Sequence, residues 1–166
     1  MTDTQLPVFR ISRVFATDQK TLFSCFTDTD KMAKWLRPPG AVTEFLISDV
    51  RPGGFNHVRM TYADGSKHYG KYTFKVVQPY DLLVYINAFS DENANLCKHP
   101  MSANWPLELL TTIKFTPVTD TSTRLDLSWE PIDATAEEIE FFKQNMDGCT
   151  AGWTGTFDAL DGFFQS

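Results

Sequence analysis

The stretch Thr135 to Phe164, TAEEIEFFKQNMDGCTAGWTGTFDALDGFF, decides how this chain folds. It opens with Thr135 three residues ahead of Glu138, the spacing of a helix capping box. Ile139, Phe142, Met146, Cys149, Thr150, Trp153, Phe157, Leu160 and Phe164 then recur every three or four residues. At about 100° per residue they form one sustained apolar stripe. A single helix to Phe164 is predicted, and at 1.5 Å per residue it is about 43 Å long, enough to cross a whole sheet. Gly148, Gly152, Gly155, Ala159 and Gly162 recur on the opposite meridian. Four helical glycines cost on the order of 3 to 4 kcal/mol against alanine. Either a second backbone approaches there, as in a homodimer, or the face is solvated and tolerates small residues.

What that stripe covers is written upstream. Val8 to Phe15 reads as a strand, and Thr17 or Asp18 then caps a short helix carrying Leu22, Phe23 and Phe26. A second short helix holds Met32 and Trp35 before Pro38-Pro39-Gly40 stops it. Six further strands follow at Val42 to Ser48, Phe55 to Tyr62, Lys67 to Gln78, Leu82 to Phe89, Leu107 to Phe115 and Thr123 to Glu130. Turn signals separate nearly all of them, among them Arg51-Pro52-Gly53-Gly54, Asp64-Gly65 and Thr119-Asp120-Thr121. The exception is the long polar stretch Ser90 to Pro106, read as a lid.

Register settles which side chains face inward. Pairing Tyr62 with Ser66 across a three-residue loop, with Gly65 left-handed, puts Val58, Met60 and Tyr62 on one face with His68, Gly70, Tyr72, Phe74 and Val76. The other face then collects His57, Arg59, Lys67, Lys71 and Lys75. A two-residue loop would bury lysines beside Phe55.

At 166 residues, with 42% hydrophobic and 14% aromatic, one domain spanning 1–166 with a single core is expected. A net charge of -6 leaves no basic field for phosphates or anionic lipid, so neither nucleic acid nor membrane is an expected partner. Cys25, Cys97 and Cys149 are too widely spaced for a zinc site and read as free thiols. The first residues lack the apolar core of a signal peptide, and no apolar run reaches the roughly 20 residues that span a bilayer. A soluble cytoplasmic protein is expected.

Strand, two short helices, six strands and a long helix is the order of the helix-grip fold of START-like (SRPBCC, Bet v-like) domains, an α+β architecture. Phe26-Thr27-Asp28 with Met32-Ala33-Lys34-Trp35, Asp49-Val50-Arg51-Pro52-Gly53-Gly54, Met60 with Asp64-Gly65, and Met146 to Trp153 resemble the family homologous to the C-terminal domain of the heat-shock protein 90 ATPase activator. The resemblance runs from about Phe9 to Phe164. It implies a cavity between sheet and helix suited to an apolar or amphipathic small molecule, and a link to stress response and chaperones. It implies no catalytic motif. The activator's extra N-terminal domain has no room here, so direct ATPase activation is not expected.

Trp35, Met60, His68, Tyr72, Tyr85, Asn87, Trp105, Trp129, Met146, Trp153 and Phe157 are the candidate cavity residues. Large aromatic area with a few polar groups, here His68, Tyr72 and Asn87, is the composition of a small-molecule pocket. Periodicity fits a filled core equally well, and the resemblance favours a cavity. No phosphate loop, nucleophile elbow, HExxH or EF-hand pattern occurs. No cofactor or metal is expected: His57 and His68 point to opposite faces and His99 lies in the loop. Two alternatives stand beside ligand binding. One is a chaperone-cofactor or dimeric interaction module using the glycine stripe. The other is a cyclase- or dehydratase-type enzyme, for which no acid and base pair up in the sequence.

Overall fold

β-Branched and aromatic residues alternate with polar ones through most of this chain, and the computed structural model turns those runs into one antiparallel sheet. It describes residues 6–37, 40–99 and 102–165. The elements are β1 (Phe9–Phe15), α1 (Gln19–Thr27), α2 (Thr29–Trp35), β2 (Ala41–Ile47), β3 (Phe55–Tyr62), β4 (Lys67–Gln78), β5 (Leu82–Ser90), β6 (Glu108–Thr119), β7 (Ser122–Ile132), α3 (Ala136–Gln144) and α4 (Met146–Gln165). The strand order is β1-β7-β6-β5-β4-β3-β2, so β1 and β2 are the edges. This is the expected α+β helix-grip arrangement.

Local chemistry sets each boundary. Asp18 caps α1 by accepting the Thr21 N–H at 2.6 Å, and Asp28 accepts from Asp30 to start α2. The predicted stop at Pro38-Pro39 lies outside the described residues. The β3–β4 hairpin has the bulged form: Tyr62 N donates to Ser66 O, Gly65 has φ 87°, and Met60 pairs with His68. Only a residue without Cβ takes that φ freely. The Arg51-Pro52-Gly53-Gly54 turn docks on β4 through Gly53 N to Phe74 O and Phe74 N to Gly54 O.

Three expectations change. Alternation puts Val76 on the inner face, but β4 carries a bulge between Phe74 and Val76, and it is Val77 that packs on the core. An extra residue in one strand reverses the alternation beyond it. Second, the C-terminal helix is two helices. Asn145 Nδ2 donates to Phe141 O at 2.7 Å, occupying the carbonyl that its own helical N–H would use, and Asn145 N turns to Phe142 O instead. A side chain that competes for a backbone carbonyl in this way breaks the ladder. Third, Thr150 leaves the stripe; it is exposed and back-bonds to Met146 O.

The core lies between the sheet and the helices. Phe142, Phe157 and Leu160 from α3 and α4 are fully buried with Phe15, Leu83, Ile113 and Leu125. In the same core, Phe23 and Phe26 of α1 set their ring edges against Phe115 at 5.3 and 5.8 Å. Arg13 pins α4 to β1: its guanidinium bridges Asp158 and Asp161, each at 2.9 Å, and lies 5.5 Å from the Phe157 ring centroid.

Candidate ligand cavity

The aromatic stripe does not fill the space it covers. A cavity of about 730 Å³ lies between the inner face of β3 to β7 and the helices α2, α3 and α4, within the range of small-molecule sites. Register builds its floor. Phe74 pairs with Tyr85, Tyr85 with Thr111, Thr111 with Trp129 and Trp129 with Phe9, one row across five strands. Beside it Tyr72 pairs with Asn87 and Asn87 with Leu109. Gly70, between His68 and Tyr72 on the same face, leaves the floor bare there, with Val58 beside it.

Of the candidate residues, Trp35, Met60, His68, Tyr72, Tyr85, Asn87, Trp105, Trp129 and Trp153 line this cavity. Met146 and Phe157 do not. Phe157 is turned into the core against Phe15, ring centroids 5.4 Å apart, and Met146 packs on the core's edge. Sequence reading missed several wall residues, including Phe89, His99, Phe141, Asn145, Cys149 and Thr156. Asn145, Cys149 and Thr156 recur at four and seven along the helix, a signal hidden because their types are neither bulky nor charged.

The glycines divide. Gly148 and Gly152 border the cavity, whereas Gly155 and Gly162 sit exposed away from it. Gly152 is only 100° round the helix from Trp153, on the side shared with Asn145 and Thr156. Apart from its chain neighbours and the backbone of its own helix, no atom among the described residues lies within 4 Å of a Cβ built at Gly148, Gly152, Gly155 or Gly162.

In the connection from Asp91 to Leu107 the described residues are tied by local hydrogen bonds and ring contacts, and His99, Ser102, Trp105, Pro106 and Leu107 line the cavity. Asp91 Oδ1 accepts from the N–H of Asn93 and Asn95, Ser90 bridges Leu96, and Cys97 N returns to Phe89 O. Trp105 then packs at 5.5 Å on Phe142 and at 6.3 Å on His99, Phe141 and Trp129. Pro100 and Met101 lie outside the described residues. His57 does face away from the cavity, yet it is only 2% exposed: its ring stacks on Tyr69 and Nε2 donates to Asp91 O at 3.0 Å.

Among the described residues no Asp, Glu, Lys or Arg lines the cavity wall. Burial pushes the Tyr72 phenol up to about 12 and raises that of Tyr85 too, with Tyr72 adding and Thr111 opposing, so both are hydroxyls. Burial first, then the His68 imidazole, holds His99 below the usual histidine value. Burial also pushes the Cys149 thiol up to about 11. The Trp129 indole N–H is buried with no acceptor among the described residues. Such a site can hold an apolar body and hydrogen-bond a few neutral groups. It offers no carboxylate base and no metal-ligand cluster among the described residues. No described helix is long and apolar enough to cross a membrane.

Solved structures share this arrangement. A protein of Arthrobacter aurescens matches with a TM-score of 0.78 at 22% identity, over 99% of this chain and 90% of that one. One of Mycobacterium smegmatis matches at 0.74 and 23%, over 97% and 94%. One of Chromobacterium violaceum matches at 0.70 and 25%, over 93% and 94%. At this distance the likeness is one of fold. No curated protein matches the sequence. The family described as Activator of Hsp90 ATPase homolog 1-like protein matches residues 16–165, and with nearly its whole length inside that match the chain belongs to this family.

Proposed function

We propose that this protein binds a hydrophobic or amphipathic small molecule in the cavity between the sheet and the C-terminal helices. The observation that carries the reading is the cavity of about 730 Å³, walled by Trp35, Tyr72, Tyr85, Trp105, Trp129 and Trp153. Burying apolar ligand surface against such a wall contributes about 25 cal/mol per Å² before the costs of association. A cavity walled by aromatic rings leaves apolar surface uncovered, and a ligand covers it. The family's description names activation of a chaperone ATPase, while the aromatic-walled cavity of this chain supports a small molecule as its ligand.

Native mass spectrometry of the protein purified from its own host tests this. A second species heavier by the mass of one small molecule, lost on unfolding, is the expected result. A bare protein that also gives no response to apolar probes would count against ligand binding.

A further inference from the structure

Tyr72 and Asn87 are direct cross-strand partners on β4 and β5, and both line the cavity. The Asn87 amide is oriented: Thr111 Oγ1, fully buried, donates to its Oδ1 at 2.5 Å. That occupies the carbonyl and leaves Nδ2 as the group on offer. Among the described residues neither Asn87 Nδ2 nor the Tyr72 hydroxyl has a hydrogen-bond partner, and neither is sealed by protein. Their open side is the cavity. Two adjacent neutral donors therefore stand on a wall without Asp, Glu, Lys or Arg side chains. An ionic ligand group there would lose its water and meet no carboxylate, ammonium or guanidinium in the wall. A buried acceptor oxygen, by contrast, has two lone pairs for two donors.

Resting on the ligand-binding reading above, we propose that Tyr72 and Asn87 form the polar anchor of the cavity and hold the carbonyl-type oxygen of an uncharged aromatic ligand. Tyr72 contributes an O–H and Asn87 an N–H, while the rings of Trp105, Trp129 and Trp153 take the apolar body. Thr111 acts through Asn87 as a positioning residue.

Three near-isosteric probes separate the terms: 2-ethylnaphthalene, 2-acetylnaphthalene and 2-naphthoate, titrated against the whole chain by tryptophan fluorescence. Tyr72→Phe deletes only the hydroxyl. Asn87→Asp keeps the shape and the Thr111 bond but turns the donor into an acceptor. In the unaltered protein the ketone should bind more tightly than its ethyl isostere, and the naphthoate weakest. Each substitution should lower the ketone-to-ethyl affinity ratio by about fivefold or more, the weight of one net hydrogen bond. Ethyl binding should change little. If the ethyl probe binds but the ratio is the same in both variants, the anchor is overturned and the cavity reading stands. If neither neutral probe binds, both fall. Tightest binding by the naphthoate overturns the requirement for an uncharged ligand.

Discussion

Lys98 Nζ stands 2.5 Å from Glu138 Oε2, and the other oxygen of that carboxylate accepts the Thr135 backbone N–H at 2.8 Å. One side chain thus caps α3 and ties the β5–β6 connection to it. The two ends of the pair are unequal: the Glu138 side chain is 8% exposed and that of Lys98 52%. Glu138→Ala should cost about 1 to 3 kcal/mol in denaturant unfolding, through the lost cap and the lost buried acceptor. Lys98→Ala should cost less than about 1 kcal/mol, as exposed pairs do. Equal costs would contradict this division. Lys98 first, then the Thr135 N–H, hold the carboxyl below its ordinary value of 4.5. The folded protein binds that proton less readily, so the stability is present above the ordinary value and lost as pH falls through the folded one.

Gly152 borders the cavity with open space around it. Gly152→Leu should therefore raise stability by about 0.8 kcal/mol, the helix-propensity gain, while abolishing probe binding by filling the cavity mouth. Thermal unfolding and a fluorescence titration read the two effects. Sedimentation of the same variant tests the glycine face as a dimer contact: an unchanged mass removes it.

His99 binds a proton less readily in the folded chain than in the unfolded one, because burial and His68 oppose its charge. Below the ordinary histidine value of 6.5 the unfolded state takes up more protons, so stability should fall as pH drops from there toward the folded value. His99→Phe should flatten that part of the profile. An unchanged slope in the variant would assign the dependence to other groups.

Cys25 and Cys149 are buried, with thiols pushed up to about 11 by burial. Cys97 is only half-buried. Because the thiolate is the reactive form, a disulfide reagent at neutral pH should modify Cys97 first, Cys149 more slowly through the cavity it lines, and Cys25 only on unfolding. Rapid reaction of Cys25 in the folded protein would argue against its closed packing.

Alternation and turn chemistry made the sheet legible, down to the register that puts Met60 beside His68. Periodicity carried the floor residues Tyr72, Tyr85 and Trp129 for the same reason. It could not see the Phe74–Val76 bulge, which inserts a residue without any turn signal. Nor could it see the break at Asn145, which depends on one side chain outcompeting a backbone N–H for Phe141 O. Phe157 shows a further limit: helical spacing gives the side of a helix, but whether that side meets core or cavity depends on which strand lies beneath it. Arg13, a lone charge in a β1 run, gave no hint of its two aspartates 145 and 148 residues away.

The most direct test is a crystal structure of the protein soaked with 2-acetylnaphthalene. Ring density between Tyr72, Trp105 and Gly152, with the ketone oxygen within hydrogen-bond distance of Tyr72 and Asn87, is the predicted result. A cavity closed by Trp105 and Trp153, with no probe density, would contradict ligand binding at this site.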